Sequence, residues 1–155
     1  MAATMKAQSP GQGRAGAYGL RALALMLGVF FIFHGLDKLA WFGDSSILAQ
    51  RLENWLQDAA PSTRWYIETV AMPGIPLFAR LVPIAEMATG VALMLGFWTR
   101  LVAALAFLMV VNFHFARGAF FEWTFTTDGT SLPVLGGLLA LALGASRLPV
   151  SVSKQ

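Results

Sequence analysis

The chain has 155 residues, of which 57% are hydrophobic and 12% charged, with a mean hydropathy of +0.63. Soluble domains carry about 25% charged residues, so an ordinary soluble fold, a disordered chain and a disulfide-stapled secreted domain are all excluded. With no cysteine, thiol–disulfide chemistry, thiolate metal sites and iron–sulfur ligation drop out as well. The net charge is only +3 and no basic cluster is interleaved with aromatics, so the partner expected is a lipid bilayer and not a nucleic acid.

In chain order, residues 1–18 read as a flexible tail, 19–147 as one membrane domain and 148–155 as a second tail. The basic start resembles a secretory leader, but no small-x-small cleavage site follows Phe31 to Leu39, so a retained first helix is expected. Four apolar runs stand out, at about 19–41, 76–98, 101–121 and 131–146. A helix needs about 20 residues to cross the hydrocarbon layer. The first three meet that length and the fourth falls short. Because the runs lack the alternation of barrel strands, the expected fold is an all-α four-helix membrane bundle.

Charge orients it. Four spans put both termini and the turn Gly96 to Arg100 on one side, with Lys6, Arg14, Arg21, Arg100, Arg147 and Lys154 and none of the eight acids. The positive-inside bias makes that side cytoplasmic, in a multi-pass protein of the bacterial inner membrane.

The opposite face carries one long connection, from Phe42 to Ile75. Ile47, Leu48, Leu52, Trp55 and Leu56 share one side of a helix there, while Gln50, Arg51, Asn54 and Asp58 fall largely on the other. Two readings stand level: an amphipathic helix on the outer membrane surface, or a lid packed on the bundle. Asp44 or Ser45 caps its start, Pro61 ends it, and Met72 to Pro76 makes a turn. Trp41, Trp98 and Trp123 are read as interfacial anchors.

The informative residues are the ionisable ones within the spans. His34 lies 13 residues past Arg21, and Glu86 and His114 each lie 14 residues from Arg100, which puts all three about 20 Å deep. Asp37, Lys38, Arg80 and Arg117 come slightly farther out, and Asn112 slightly below. Such groups are costly in lipid, so they face the bundle interior and pair; Glu86 with Lys38 or Arg117 is the expected ion pair. This layer is either interhelical polar glue or a pocket with Lys38, Arg80 and Arg117 at its mouth and proton-exchanging His34, Glu86 and His114 below. A quinone suits that pocket, since its carbonyl oxygens need proton donors beside them. Phe33, Phe113, Phe115, Phe120 and Phe121 offer ring contacts. A rival occupant is a b-type haem held between His34 and His114. No metal site is expected, because it would need Glu86 as a third ligand.

Two motifs then carry a resemblance. His34-Gly35-x-x-Lys38-Leu39, and Pro83-x-x-Glu86-x-x-x-Gly90 running on to Gly96-x-x-Thr99-Arg100, resemble the signatures of the DoxX/DoxD family across about Leu20 to Leu143. The resemblance implies a four-helix protein of the bacterial cytoplasmic membrane. It also implies an oxidoreductase association, DoxD-type proteins being subunits of a thiosulfate:quinone oxidoreductase. Lys38 and Glu86 are then family-type residues and Arg100 belongs to the turn. The ending Gly144 to Pro149 departs from the Gly-rich, Asp-containing family ending, and only Asp128 lies near the start of the last helix.

Three functions follow: a quinone-binding subunit fed with electrons by a protein partner, a non-enzymatic scaffold of a larger membrane complex, or a small transporter or proton relay. The first leads, with the chain incomplete as an enzyme alone because it carries no nucleotide or flavin motif.

Overall fold

The computed structural model describes residues 10–145 and 148–152, with the side chains of residues 10–12 and of Phe121 left aside. Lys6, Arg147 and Lys154 of the basic side, Ser146 at the end of the fourth run and the Phe121 ring therefore lie outside the described residues.

Every regular element among the described residues is helical. The chain runs through α1 (Pro10–Asp37), α2 (Ser46–Leu56), α3 (Pro61–Tyr66), α4 (Ile75–Leu95), α5 (Thr99–Ala116), α6 (Thr124–Thr127) and α7 (Leu132–Gly144). Three of these are long and apolar enough to cross a membrane: α1 from Gly13, α4 and α5. Helix α7 is apolar but has 13 residues, about 20 Å of rise. It packs along α1 and α5 through Val134, Leu135, Leu138 and Leu141.

Helix α1 starts at Pro10, well before the expected Gly19, so residues 10–18 are helical and not an irregular tail. Extending an existing helix costs far less than nucleating one. Helix α5 stops at Ala116, five residues short of the expected Phe121. Gly118, at φ +75°, takes the left-handed conformation that ends the helix.

Helices α1 and α4 meet through glycine. A Cβ on Gly28 would lie 2.9 Å from the Gly90 carbonyl oxygen, and one on Gly90 would lie 2.7 Å from that of Gly28. The face of α4 turned inward reads Ala79, Pro83, Glu86, Gly90 and Leu93, a helical repeat that puts Glu86 and Gly90 one turn apart.

The tight turn between α4 and α5 is built as the sequence requires. Gly96 sits at φ +67°, the Gly96 N–H donates to Leu93 O and the Phe97 N–H to Ala92 O at 2.8 Å, the paired bonds that close a helix C-terminus. Arg21 reaches the same place from α1, donating to Leu93 O at 3.0 Å and Met94 O at 2.6 Å. Arg100 donates to Ala142 O near the end of α7, and the Val152 N–H donates to Leu95 O. The start of the apolar part of α1, the α4–α5 turn and the end of α7 thus share one end of the bundle.

At the other end the long connection folds back. The Ser46 N–H is taken by the Asp44 carboxylate, as a capping acid does. Leu48 and Leu52 are buried with Trp41, Ile67, Ala71 and Ala79, so α2 is a lid on the bundle. Two expectations change here. Helix α2 ends at Leu56, before Pro61, which instead opens α3 at its first turn. Trp41 is 5% exposed under the lid and is no interfacial anchor, whereas Trp98 and Trp123 are exposed.

Candidate functional site

Beneath the lid lies a cavity of about 240 Å³. Helices α1, α4 and α5 each bring an ionisable side chain to its wall: His34 and Lys38 from the end of α1, Glu86 from α4, and His114 and Arg117 from the end of α5, beside the neutral amide of Asn112. The shared depth counted along the sequence is therefore a shared chamber. The lid supplies Arg51 and Trp55, and the segment before α4 supplies Tyr66.

Its centre is an ion pair. Lys38 Nζ donates to Glu86 Oε1 at 2.8 Å and Oε2 at 2.7 Å, and to the His34 carbonyl at 3.1 Å. Lys38 is 8% and Glu86 3% exposed. Of the two partners expected for Glu86, Lys38 is the one that reaches it. A buried ammonium and carboxylate offset each other's desolvation only with such close, hydrogen-bonded geometry.

His114 is held differently. Nδ1 lies 2.8 Å from Val110 O and Nε2 2.8 Å from Ser131 Oγ. A carbonyl only accepts, so Nδ1 carries the proton, and in the neutral ring Nε2 accepts from the Ser131 hydroxyl. Phe120 and Phe125 flank the ring. An axial bond from Nε2 to a haem iron would have to displace Ser131. His34, by contrast, is half-buried and packs against Phe30 at a ring separation of 4.1 Å, with no hydrogen bond from its ring nitrogens to a described residue.

The remaining expected residues divide. Asn112 lines the cavity and its Oδ1 accepts from the Tyr66 hydroxyl at 2.7 Å. Arg117 lines it too, but pairs with Asp128 at 3.4 Å. Asp128 sits outside the spans, where hydrogen bonds from the Thr130 backbone N–H and hydroxyl, with Arg117 nearby, hold its carboxyl below the usual carboxylate range. Arg80 and Asp37 are exposed and take no part in the wall. Six residues from Glu86 puts Arg80 about 120° round α4, and it donates to its own helix at Pro76 O. Asp37 closes α1 and leaves the inward position to Lys38. Among the expected rings, Phe113 lines the cavity, Phe115 packs on Tyr66, Phe120 on His114, and Phe33 is exposed.

The sequence reading missed Trp41, Arg51, Trp55, Tyr66 and Ser131. Arg51 is expected largely opposite the apolar side of α2, yet its guanidinium lies 5.2 Å from the Trp41 ring centre. Leu48, Arg51, Leu52 and Trp55 follow i, i+3, i+4, i+7 spacing, one helix face, so a signal was there.

Over this frame, a sequence model of the DoxX family matches residues 19–118, about two thirds of the chain. The chain belongs to the DoxX family. Comparison with curated proteins and with solved structures gives no match. The DoxX region contains the Lys38–Glu86 pair, His34, Asn112, His114 and Arg117, and stops before Ser131 and α7. The glycines of the DoxX-type motifs acquire a physical reason. A Cβ on Gly35 would lie 3.1 Å from both the Met87 nitrogen and the Pro83 carbonyl, and Gly90 touches Gly28, so both let α1 approach α4 closely enough for Lys38 to reach Glu86. The DoxX family and the three apolar helices together make this an integral membrane protein.

Proposed function

We propose that this DoxX protein is the quinone-interacting subunit of a bacterial inner-membrane oxidoreductase complex. In this reading it has four spans, α7 being the short fourth, with both termini in the cytoplasm and the cavity opening toward the periplasmic side. The observation that carries the proposal is the single chamber in which a buried Lys38–Glu86 pair, a half-buried His34 and Asn112 face aromatic walls from Phe30, Phe31, Trp41 and Phe113.

The size fits a ring and not a whole lipid. At about 240 Å³, the chamber is smaller than the roughly 300–1,000 Å³ of pockets that enclose drug-sized ligands. A quinone head enters and its tail stays in the bilayer. The bound quinone supplies the electron chemistry. His34 and Glu86 exchange protons at its oxygens, the aromatic walls keep the ring flat, and His114, tied to Val110 and Ser131, fixes the α5–α7 corner of the site. The 155 residues hold no cysteine for a thiol relay, so electrons come from a partner subunit, a thiosulfate-oxidising one being the family-type candidate.

The test is extraction of quinone from protein purified in mild detergent, together with identification of co-purifying subunits. Wild type is expected to retain the ring, counted as quinone plus hydroquinone in the extract, and Glu86→Gln to retain less of the total. Partner recovery without quinone, unchanged in a Glu86→Gln, His34→Ala, His114→Ala triple variant, would replace this reading with that of an accessory scaffold.

A further inference from the structure

The donors and acceptors of the chamber are unevenly spent. Lys38 has three ammonium protons and three acceptors: both Glu86 oxygens and the His34 carbonyl. No proton of Lys38 is left for a ligand. Glu86, which has about four lone-pair positions, receives only the two bonds from Lys38 among the hydrogen bonds of the described residues, and it is one of the residues that line the cavity. The ion pair therefore presents the chamber with acceptors and no donor.

The rest of the wall is complementary. Asn112 uses its oxygen on Tyr66, which leaves its amide protons. Arg51 lies over Trp41 and carries guanidinium donors into the same chamber. The His34 ring can donate or accept. His114 contributes neither, both ring nitrogens being occupied.

We infer that the ligand turns a hydroxyl, and not a carbonyl, toward Glu86, so that the chamber takes an aromatic ring in its hydroxylated form, a hydroquinone or other phenol, in preference to the corresponding quinone. A phenolic O–H pointing at a carboxylate makes a charge-assisted hydrogen bond. A carbonyl in its place sets lone pairs against lone pairs beside a buried carboxylate. The second ring oxygen lies toward the donors, Asn112, Arg51 or His34. This deepens the quinone reading and rests on it, by naming the redox form the resting site holds.

Equilibrium dialysis of the detergent-purified full chain against durohydroquinone and duroquinone, under argon, tests it. Both rings are fully methylated and add no group to lysine. Hydrogen bonds to charged groups contribute enough for the hydroquinone to bind at least about tenfold more tightly. Glu86→Gln supplies an amide donor, and the preference should shrink to within about threefold. If that variant does not fold, Lys38→Met with Glu86→Gln, which leaves no unpaired ammonium, is measured in its place. Equal or tighter binding of duroquinone by wild type overturns this inference and leaves the quinone reading standing. A preference that survives the substitution overturns Glu86 as its source. Binding of neither compound overturns the quinone reading and this inference together.

Discussion

The two ends of the bundle differ in whether any basic residue there also meets another side chain across the cavity. At the end with the α4–α5 turn, Arg21 and Arg100 donate to main-chain carbonyls of α4 and α7, where a helix C-terminus leaves acceptors without partners. At the lid end, Lys38 donates to the Glu86 side chain and Arg51 lies on the Trp41 ring. The first end is closed by its own backbone, and the second keeps side chains around a cavity. The contrast teaches that charge on a membrane helix marks a site only when its partner is another side chain. An arginine bound to a helix terminus is part of the frame.

The largest effect that could break this contrast lies at the cavity end. Lys38→Met leaves the Glu86 carboxylate buried without its cation, and removal of one partner of a buried pair costs about 3–5 kcal/mol. Thermal unfolding in detergent reads it. A loss below about 1 kcal/mol would show that Glu86 is not dependent on Lys38. At the closed end the effect is smaller. Arg21→Met removes two partly buried bonds to α4, for about 2 kcal/mol, while Arg100→Met removes one exposed bond, for under about 1 kcal/mol. Neither should alter ligand binding, and an arginine variant that did so would join the two ends functionally.

The smallest effect is a pH dependence at the lid end. Asp128 is partly exposed and its folded carboxyl titrates lower than the ordinary value of about 3.9, chiefly through the Thr130 hydrogen bonds. Its contribution is complete above that ordinary value and is lost as pH falls through the lowered one. Asp128→Asn should flatten the acid limb of a melting-temperature profile slightly and leave it unchanged above pH 5.

Much of this was legible in the chain. Hydropathy located α1, α4 and α5, because a membrane helix must be apolar for a length the bilayer sets. Counting 1.5 Å per residue brought His34, Glu86 and His114 to one depth, and the structure puts all three on one cavity. Depth carries no azimuth, however. Arg80 and Asp37 share the right layer and face outward, and only the positions of Gly28, Gly35 and Gly90, which select the side of α1 that meets α4, could have separated them from Lys38. Tyr66 and Ser131 were illegible for another reason. Each reaches its partner across a chain separation of 46 or 17 residues, through loops whose path no local periodicity reports. Helix α2 lay between these cases: its pattern was plain, but one amphipathic stripe serves a membrane surface and a lid alike.

The contact between Gly28 and Gly90 has a mechanical consequence. With backbone lying on backbone and no space for a Cβ on either helix, α1 and α4 form a single stiff blade, and a ring cannot slip in from the bilayer by prying them apart. In the quinone reading proposed above, the ring would instead enter along the seams bordered by the lid and by the end of α5, where the lining includes Arg51, Trp55 and Phe113.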